Sequence, residues 1–295
     1  MRFLRPATAL AAALLVLRAA PVLADPLDTA DAPPAASAAG SIETLPEGEG
    51  QGPAAAAGGH EAAGSNQANN PLQPSLMLSA QDYYVPSFYG LPDRWANQGL
   101  IRGLMPQKTF GHVQLTRFTL PVATSPTFPG GHDTGIGDLT LMDLFMFKGK
   151  GLAYGVGPVL VAPTATNHMG TGKWQAGVAG AVVAPRAWGL AGTLVIYQTS
   201  FAGRENMPGV ETLTAQPIVF YNLPKGYYLR STGIWNFNLK TDDYYIPVGA
   251  GIGKVWSLRP KTKLNGFIEP QYTLFHDGVA PHWQIYSGLN LQILF

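Results

Sequence analysis

The chain has 295 residues, of which 46% are hydrophobic and 13% charged, and its formal net charge is +1. This apolar content excludes a wholly disordered protein, and the chain contains no basic segment that would indicate a nucleic-acid partner. Because there is no cysteine, disulfide scaffolds, Cys-ligated zinc, iron–sulfur clusters and thiol nucleophiles are also excluded. We therefore expect a packed or membrane-embedded body without a cofactor.

The N-terminus has the pattern of an export signal. Arg2 and Arg5 precede an apolar run over residues 7–17, and Ala24 supplies the small residue that a signal peptidase requires. Such a run rises only about 16 Å as a helix, whereas a bilayer core needs roughly 30 Å. The sequence therefore predicts that residues 1–24 are a cleaved signal peptide and not a membrane anchor.

The next segment is acidic and rich in Ala, Gly and Pro. Between residues 25 and 71 there are seven Asp or Glu residues and no Lys or Arg. The apolar side chains are too few and too small to offset the entropy lost on ordering. We predict a disordered segment over residues 25–74, with a role as a periplasmic tether or a plug left open.

From Ser75 onward, apolar and polar residues alternate over long stretches. In residues 283–295, Trp283, Ile285 and Leu289 belong to an almost wholly apolar face, while polar residues occupy most of the other face. A period of two over such a length predicts a long β-strand. Twelve candidate strands share this pattern: 76–88, 94–106, 110–121, 135–147, 151–164, 172–184, 188–201, 209–222, 226–238, 244–256, 262–275 and 283–295.

Short, mostly basic turns such as 148–150 alternate with longer connections such as 122–134. An even number of long strands joined in this way is typical of an outer-membrane barrel, and eleven tilted residues span roughly 28 Å, which matches its apolar band. A secreted β-sandwich would have strands about half as long. We therefore predict an all-β fold: a transmembrane, antiparallel, up-and-down β-barrel of about twelve strands over residues 75–295.

This fold predicts the cellular location and the first partners. The barrel would lie among the lipids of the outer membrane of a Gram-negative bacterium, with aromatic residues near the strand ends, Tyr83, Tyr84 and Trp95 among them, forming interfacial girdles. The C-terminal Phe295 is the expected recognition element for the barrel-assembly machinery.

Two local patterns are unusual for the wall of an outer-membrane barrel. Asp143 falls in the lipid-facing set with Leu141 and Phe145, where a carboxylate is costly. A bulge or a displaced register is the interpretation that we favour there. Gly249, Gly251 and Gly253 alternate on one face, which indicates that a side chain or a plug packs closely against the wall.

Several motifs resemble an outer-membrane family described as "MetA-pathway of phenol degradation", also labelled neuromedin-U-like or transporter proteins. The likeness covers about residues 130–295. The motifs, in order, are residues 135–138 (GIGD), 155–158 (GVGP) leading to 163–166 (PTAT), 170–174 (GTGKW), 200–203 (SFAG), 216–217 (QP) and 246–249 (IPVG). The resemblance implies a barrel that passes small, often aromatic, hydrophobic compounds, and it implies no catalytic residues.

A barrel of twelve strands should have a narrow or partly plugged bore. The interior of an eight-stranded barrel is filled by side chains, whereas a barrel of sixteen strands encloses an open channel. Amide and aromatic side chains in such a bore suit a small organic solute with one polar end, although they would equally bond across a closed core. The predicted lumen and solute-binding residues are Arg230, Asn236, Asn265, Phe267, Glu269, Gln271, Gln284, Tyr286, Asn290 and Gln292.

The function that these patterns favour is a passive channel for small hydrophobic or aromatic compounds. A non-conducting barrel with a structural or surface-interaction role is the alternative. A barrel hydrolase is less favoured, because no Gly-x-Ser-x-Gly elbow occurs and the sequence does not place the loop histidines near the strand serines Ser200 and Ser231. Loop histidines, such as His276 and His282, lack the local spacing of a metal site.

Overall fold

The computed structural model describes residues 64–109, 111–128 and 130–294. Residues 64–69 are helical and Pro224–Gly226 form a 3-10 turn. Nearly all the rest forms twelve strands, three of them interrupted once. In chain order these are β1 (Ser75–Tyr89), β2 (Ala96–Thr109), β3 (His112–Pro126), β4 (His132–Ile136 and Leu139–Gly149), β5 (Leu152–Ala162), β6 (Lys173–Arg186), β7 (Gly189–Gly203), β8 (Glu211–Asn222), β9 (Tyr227–Ser231 and Trp235–Asn238), β10 (Tyr244–Gly249 and Gly251–Arg259), β11 (Thr262–Asp277) and β12 (Ala280–Leu294).

The twelve strands form one closed antiparallel barrel. Each strand pairs with the next one along the chain. Strand β12 then pairs with β1, from Ser75 opposite Leu294 to Tyr89 opposite Ala280. Closure satisfies backbone groups that an open sheet edge would expose to lipid. The predicted fold class is confirmed, and every observed strand overlaps its predicted range.

The barrel has an apolar exterior and an interior that mixes polar and apolar side chains. On β12, Ile285 and Leu289 are 37% and 55% exposed, whereas the neighbouring Gln284 and Tyr286 are 6% and 3% exposed. A soluble β-sandwich would hide its apolar face, so this distribution excludes that alternative. The exterior is suited to contact with membrane lipid. Within the described residues, no helix is long and apolar enough to cross a membrane.

The two ends of the barrel differ in their connections. Residues 150–151, 187–188 and 260–261 make short turns at one end, whereas residues 163–172 and 204–210 make longer loops at the other. Outer-membrane barrels have short turns on the periplasmic side and longer loops outside. We therefore call these the periplasmic end and the outer end, and β1 begins at the periplasmic end.

The strand pairing corrects the interpretation of Asp143. Its neighbours Met142 and Phe145 pair with Val159 and Val156 in one continuous register, so the predicted bulge or displaced register is absent. Asp143 does lie in the outward-facing set, directly opposite Thr116. The Thr116 hydroxyl donates a hydrogen bond of 2.9 Å to Asp143 Oδ1, which partly satisfies the carboxylate without any change in the backbone.

Candidate functional site: the barrel lumen

All ten predicted lumen residues lie on β9, β11 and β12 with their side chains directed inward. Six of them meet in one central cluster: Arg230, Phe267, Glu269, Gln271, Gln284 and Tyr286. The other four bond elsewhere inside the barrel. Asn265 bonds to Tyr228, Asn290 to Gln81, Gln292 to Ser75 and Asn236 to the carbonyl of Ile234.

A buried ion pair is the centre of this cluster. Arg230 Nε donates to Glu269 Oε2 at 2.6 Å, and the two side chains are 6% and 0% exposed. The Thr232 backbone N–H and hydroxyl donate to the same carboxylate at 2.8 and 2.7 Å, and Gln271 Nε2 donates at 2.8 Å. Glu269 thus accepts four hydrogen bonds, which a buried carboxylate needs to offset its desolvation.

Aromatic rings extend the cluster along the wall toward β1. The Arg230 guanidinium lies 3.6 Å from the centre of the Phe267 ring, and Phe267 meets Tyr286 edge to face at 4.8 Å. Tyr286 stacks on Tyr83 at 4.1 Å. Tyr83, which the sequence placed in an outer girdle, therefore lies inside, because the regular β1–β12 register directs it toward Tyr286. The rings link β9 and β11 to β12 and β1, which are consecutive strands on one side of the barrel.

The three alternating glycines of β10 make room for this packing. A Cβ at Gly249 or Gly251 would overlap Glu269, and one at Gly253 would overlap the ring of Tyr228. Only glycine permits such a close approach of side chains to the wall. The prediction that a side chain packs closely against these glycines is confirmed.

The periplasmic end of the lumen is occupied by residues 64–72, which we call the N-terminal plug. The sequence assigned these residues to the disordered acidic segment. In the structure, Ser65, Asn69 and Leu72 are 2%, 8% and 2% exposed. Lys263 Nζ of β11 donates to Gly64 O at 2.8 Å and to Gln67 Oε1 at 3.1 Å. The plug thus binds the wall through polar contacts and one buried leucine.

The plug also reaches the other side of the barrel. Asn66 Nδ2 donates to the Arg186 carbonyl at 2.7 Å, and Asn66 Oδ1 accepts from Asn222 at 2.8 Å. Asn69 Oδ1 accepts from Asn265 Nδ2 at 2.8 Å, and Asn265 in turn accepts from the Tyr228 hydroxyl. One predicted lumen residue, Asn265, therefore connects the plug to the buried Tyr228 of β9.

The outer half of the lumen contains an open cavity of about 200 Å³. Its wall mixes aliphatic, amide and hydroxyl side chains from β1 to β9. The lining includes Tyr83, Leu100, Thr119, Val161, Met169, Gln175, Leu194, Ile196, Thr212 and Thr214. Below roughly 300 Å³ a cavity is smaller than those that hold drug-sized ligands, so this one suits a small solute.

Two arginines in this cavity were missed by the sequence analysis. Arg102 on β2 and Arg117 on β3 both line it. A charge in the middle of a membrane strand is costly toward lipid, so each guanidinium had to point inward, and that signal was present in the sequence. The alternation in β3 was ambiguous, however, because Arg117 shares a face with Val113 and Leu115. The predicted site therefore covered only one side of the lumen.

The family-like motifs build an outer loop against the cavity. Asp138, at the interruption of β4, accepts hydrogen bonds from the Thr171 backbone N–H and hydroxyl at 2.6 and 2.8 Å. The Thr164 hydroxyl accepts from Leu139 N–H and donates to Gly137 O. A Cβ at Gly170 would overlap Asp138. These motif residues thus anchor loop 163–172, whose Met169 and Thr171 line the cavity.

The loop histidines make aromatic contacts at the outer end. His276 stacks on Tyr89 at 3.9 Å, and His132 stacks on Trp95 at 4.1 Å. In the described part of the chain, no group of three His, Asp or Glu side chains has a geometry that could hold a metal ion. Ser200 Oγ accepts a hydrogen bond from Val210 N–H at 2.9 Å, which stabilises the base of an outer loop.

Comparisons with known proteins identify a likeness of fold. No known family profile matches the chain, and no curated protein matches it. The COG4313 outer membrane channel from Pseudomonas putida F1 is 17% identical, with a TM-score of 0.57 over 77% of this chain and 98% of that one. The translocator domain of autotransporter NalP from Neisseria meningitidis is 11% identical (TM-score 0.43; 82% and 96% covered). The anion-selective porin from Comamonas acidovorans is 12% identical (TM-score 0.34; 75% and 98% covered).

The likeness to the COG4313 channel supports the barrel fold. The likenesses to the NalP domain and the porin have TM-scores too low to support any conclusion. Together with the closed sheet and the apolar exterior, the COG4313 likeness identifies the chain as a barrel protein of the outer membrane of a Gram-negative bacterium. The resemblance to the MetA-pathway family stays an expectation. The predicted signal peptide and most of the acidic segment lie outside the described residues, as does Phe295.

Proposed function

We propose that the protein is a passive channel for small organic compounds with an apolar or aromatic body. The single observation that carries this proposal is the cavity in the outer half of the lumen. It combines aliphatic side chains such as Leu194 and Ile196 with amides and hydroxyls such as Gln175 and Thr214. Apolar walls with a few polar groups are typical of small-molecule sites, where the polar groups set the orientation of the ligand.

Two further points support the proposal. The COG4313 protein, whose barrel resembles this one, is described as an outer membrane channel. The motifs of the MetA-pathway family, which imply aromatic solutes, anchor the loop that lines the cavity. Neither the solved structures nor the lumen geometry points to an enzyme. Recognition of Phe295 by the barrel-assembly machinery stays a prediction.

Uptake into a porin-deficient Gram-negative host tests the proposal. Cells that express the protein should take up labelled benzyl alcohol and benzamide faster than cells with an empty vector. Thr214→Trp should remove most of this gain, because the new ring would enter the cavity. Thr193→Trp, on the outward face of β7, is the matched control. Equal uptake with and without the protein would refute a channel function.

A non-conducting structural barrel is the second candidate function. The N-terminal plug and the central cluster favour it, because together they occupy the periplasmic end and the middle of the lumen. Planar-bilayer recordings separate the two candidates. Discrete single-channel steps that Thr214→Trp reduces would support the channel, and a complete lack of conductance would support the structural role.

A further inference from the structure

The cavity contains two cationic side chains without anionic partners. Within the part of the chain that the structure describes, the ion pairs are Arg230–Glu269 and Lys240–Glu211, and neither includes Arg102 or Arg117. Arg102 Nη1 donates to the neutral Gln81 Oε1 at 2.6 Å, and its buried Nε has no hydrogen-bond partner among the described residues. Arg117 Nη2 makes a weak 3.9 Å contact with the neutral Met142 Sδ.

The two guanidiniums lie close together on neighbouring strands. In the β2–β3 register, Arg102 faces Thr119 and Arg117 faces Leu104, so the two arginines are diagonal neighbours on the inner face. Like charges held together in a low-dielectric lumen repel each other. An arrangement of this kind is costly unless an anion is shared between them, since guanidinium groups bind carboxylates through paired N–H donors.

The only carboxylate that lines the cavity in the described chain does not neutralise this pair. Asp138 accepts hydrogen bonds from Thr171 N–H, Thr171 Oγ1 and Ala165 N–H, which hold the outer loop. Glu269, the lumen carboxylate of the central cluster, is bound by Arg230 and Thr232. The cavity therefore has an excess of positive charge beside an aliphatic wall.

We propose that the outer cavity is a binding site for a small organic carboxylate, with Arg102 and Arg117 holding the carboxylate. The apolar body of the solute lies against Leu100, Leu194 and Ile196, and Tyr83 closes the inner side. This inference rests on the proposed channel function and narrows its solute class from small organic compounds with an apolar or aromatic body to monoanionic acids with such a body. A volume of about 200 Å³ limits that body to a single ring or a short chain.

Calorimetric titration of the folded, detergent-solubilised chain tests the site, with benzoate as the probe and benzamide as its neutral counterpart. The wild type should bind benzoate more tightly than benzamide. Arg102→Gln with Arg117→Gln should weaken benzoate binding at least about tenfold, because each guanidinium supplies charge-assisted hydrogen bonds. Arg259→Gln removes the same type of charge at the periplasmic end of β10 and should leave binding unchanged.

Two additional measurements and one conservative variant separate loss of the site from loss of the fold. The heat-modifiable migration of each variant shows whether its barrel is folded, and Arg102→Lys with Arg117→Lys keeps the charge and should retain part of the affinity. Reversal potentials in a KCl gradient should shift toward cation preference in the double Gln variant only. These potentials report the lumen charge independently of benzoate.

Three results would overturn the proposal. The first is equal affinity of the wild type for benzoate and benzamide, and the second is unchanged benzoate binding in the folded double Gln variant. The third is phosphate binding as tight as benzoate binding, which would indicate a general anion site without selection for an apolar body. Failure of the channel function is recognised separately, because uptake of both benzamide and benzoate into cells would then be absent whatever the calorimetry shows.

Discussion

The lumen contains arginines in two opposite environments. Arg230, on the β9 side, has a carboxylate at 2.6 Å, a threonine hydroxyl and an aromatic ring around it. Arg102 and Arg117, on the β2–β3 side, face an open cavity and form no ion pair with any residue that the structure describes. The same residue type thus completes a packed network on one wall and borders open space on the other.

This difference separates structural from binding chemistry within one barrel. A buried charge that is fully paired fixes the neighbouring strands, and removing its partner is strongly destabilising. A charge that lines a cavity with unused donors contributes little to folding and is available to a solute. We therefore expect substitutions on the Arg230 side to change mainly stability, and those on the Arg102 side to change mainly binding.

The largest effect should come from Glu269→Ala. The change leaves the Arg230 charge buried and deprives Thr232 and Gln271 of their acceptor. We expect the free energy of unfolding to fall by about 3–5 kcal/mol. Urea unfolding of the barrel in lipid vesicles, followed by tryptophan fluorescence, measures this change.

The matched control for Glu269→Ala is the double variant Arg230→Met with Glu269→Met. It removes both charges and leaves none uncompensated, so it should be more stable than Glu269→Ala alone. If Glu269→Ala unfolds at the same urea concentration as the wild type, the central ion pair does not hold the strands together. The Arg230 side of the lumen would then not be the structural side.

A smaller loss should follow from Gly253→Ala on β10. The new methyl group would overlap the Tyr228 ring, which is fully buried. Overpacking of this kind costs about 1–3 kcal/mol. Gly180→Ala on β6 is the control, because a Cβ there meets open space. Both variants are compared by the same urea titration, and equal stability of the two would contradict close packing on β10.

Much of the wall could be predicted because the rule that forms it is local. A strand in the outer membrane alternates lipid-facing apolar residues with inward-facing residues, so residues 283–295 specify their own faces. The same alternation placed Glu269, Gln271 and Gln284 inside. It did not show which of these side chains would meet, since that depends on the pairing of strands far apart in the sequence.

The parts that escaped prediction depend on nonlocal contacts. Residues 64–69 are small and polar and carry no hydrophobic periodicity, so their helix is stabilised by bonds to Arg186, Asn222 and Lys263 more than a hundred residues away. Asp143 kept a regular register because Thr116 on the neighbouring strand satisfies it. The partners of the helix and the partner of Asp143 could not be identified before the strand order and register were known.

The N-terminal plug lies at the periplasmic end of the lumen, and its bonds to Lys263 can be tested separately from the arginines. Lys263→Met removes the donor to Gly64 O and Gln67 Oε1. Hydrogen bonds from a charged group are worth about 1.5–3 kcal/mol, so the docked-to-undocked ratio of the plug should fall at least about tenfold. We expect more frequent high-conductance openings in planar-bilayer recordings. Lys261→Met, in the adjacent turn, is the control and should keep the wild-type pattern.

The smallest effect on stability should come from Arg117→Met on the cavity side. Because Arg117 forms no ion pair in the described part of the chain, its loss leaves no carboxylate uncompensated. An apolar side chain of similar volume in place of an unpaired charge should change the free energy of unfolding by less than about 1 kcal/mol, in either direction. Benzoate at about ten times its Kd should stabilise the wild type by roughly 1.4 kcal/mol and stabilise this variant less. A loss in Arg117→Met as large as that in Glu269→Ala would mean that Arg117, like Arg230, is a structural residue, and the division of the lumen into a packed wall and a binding wall would be wrong.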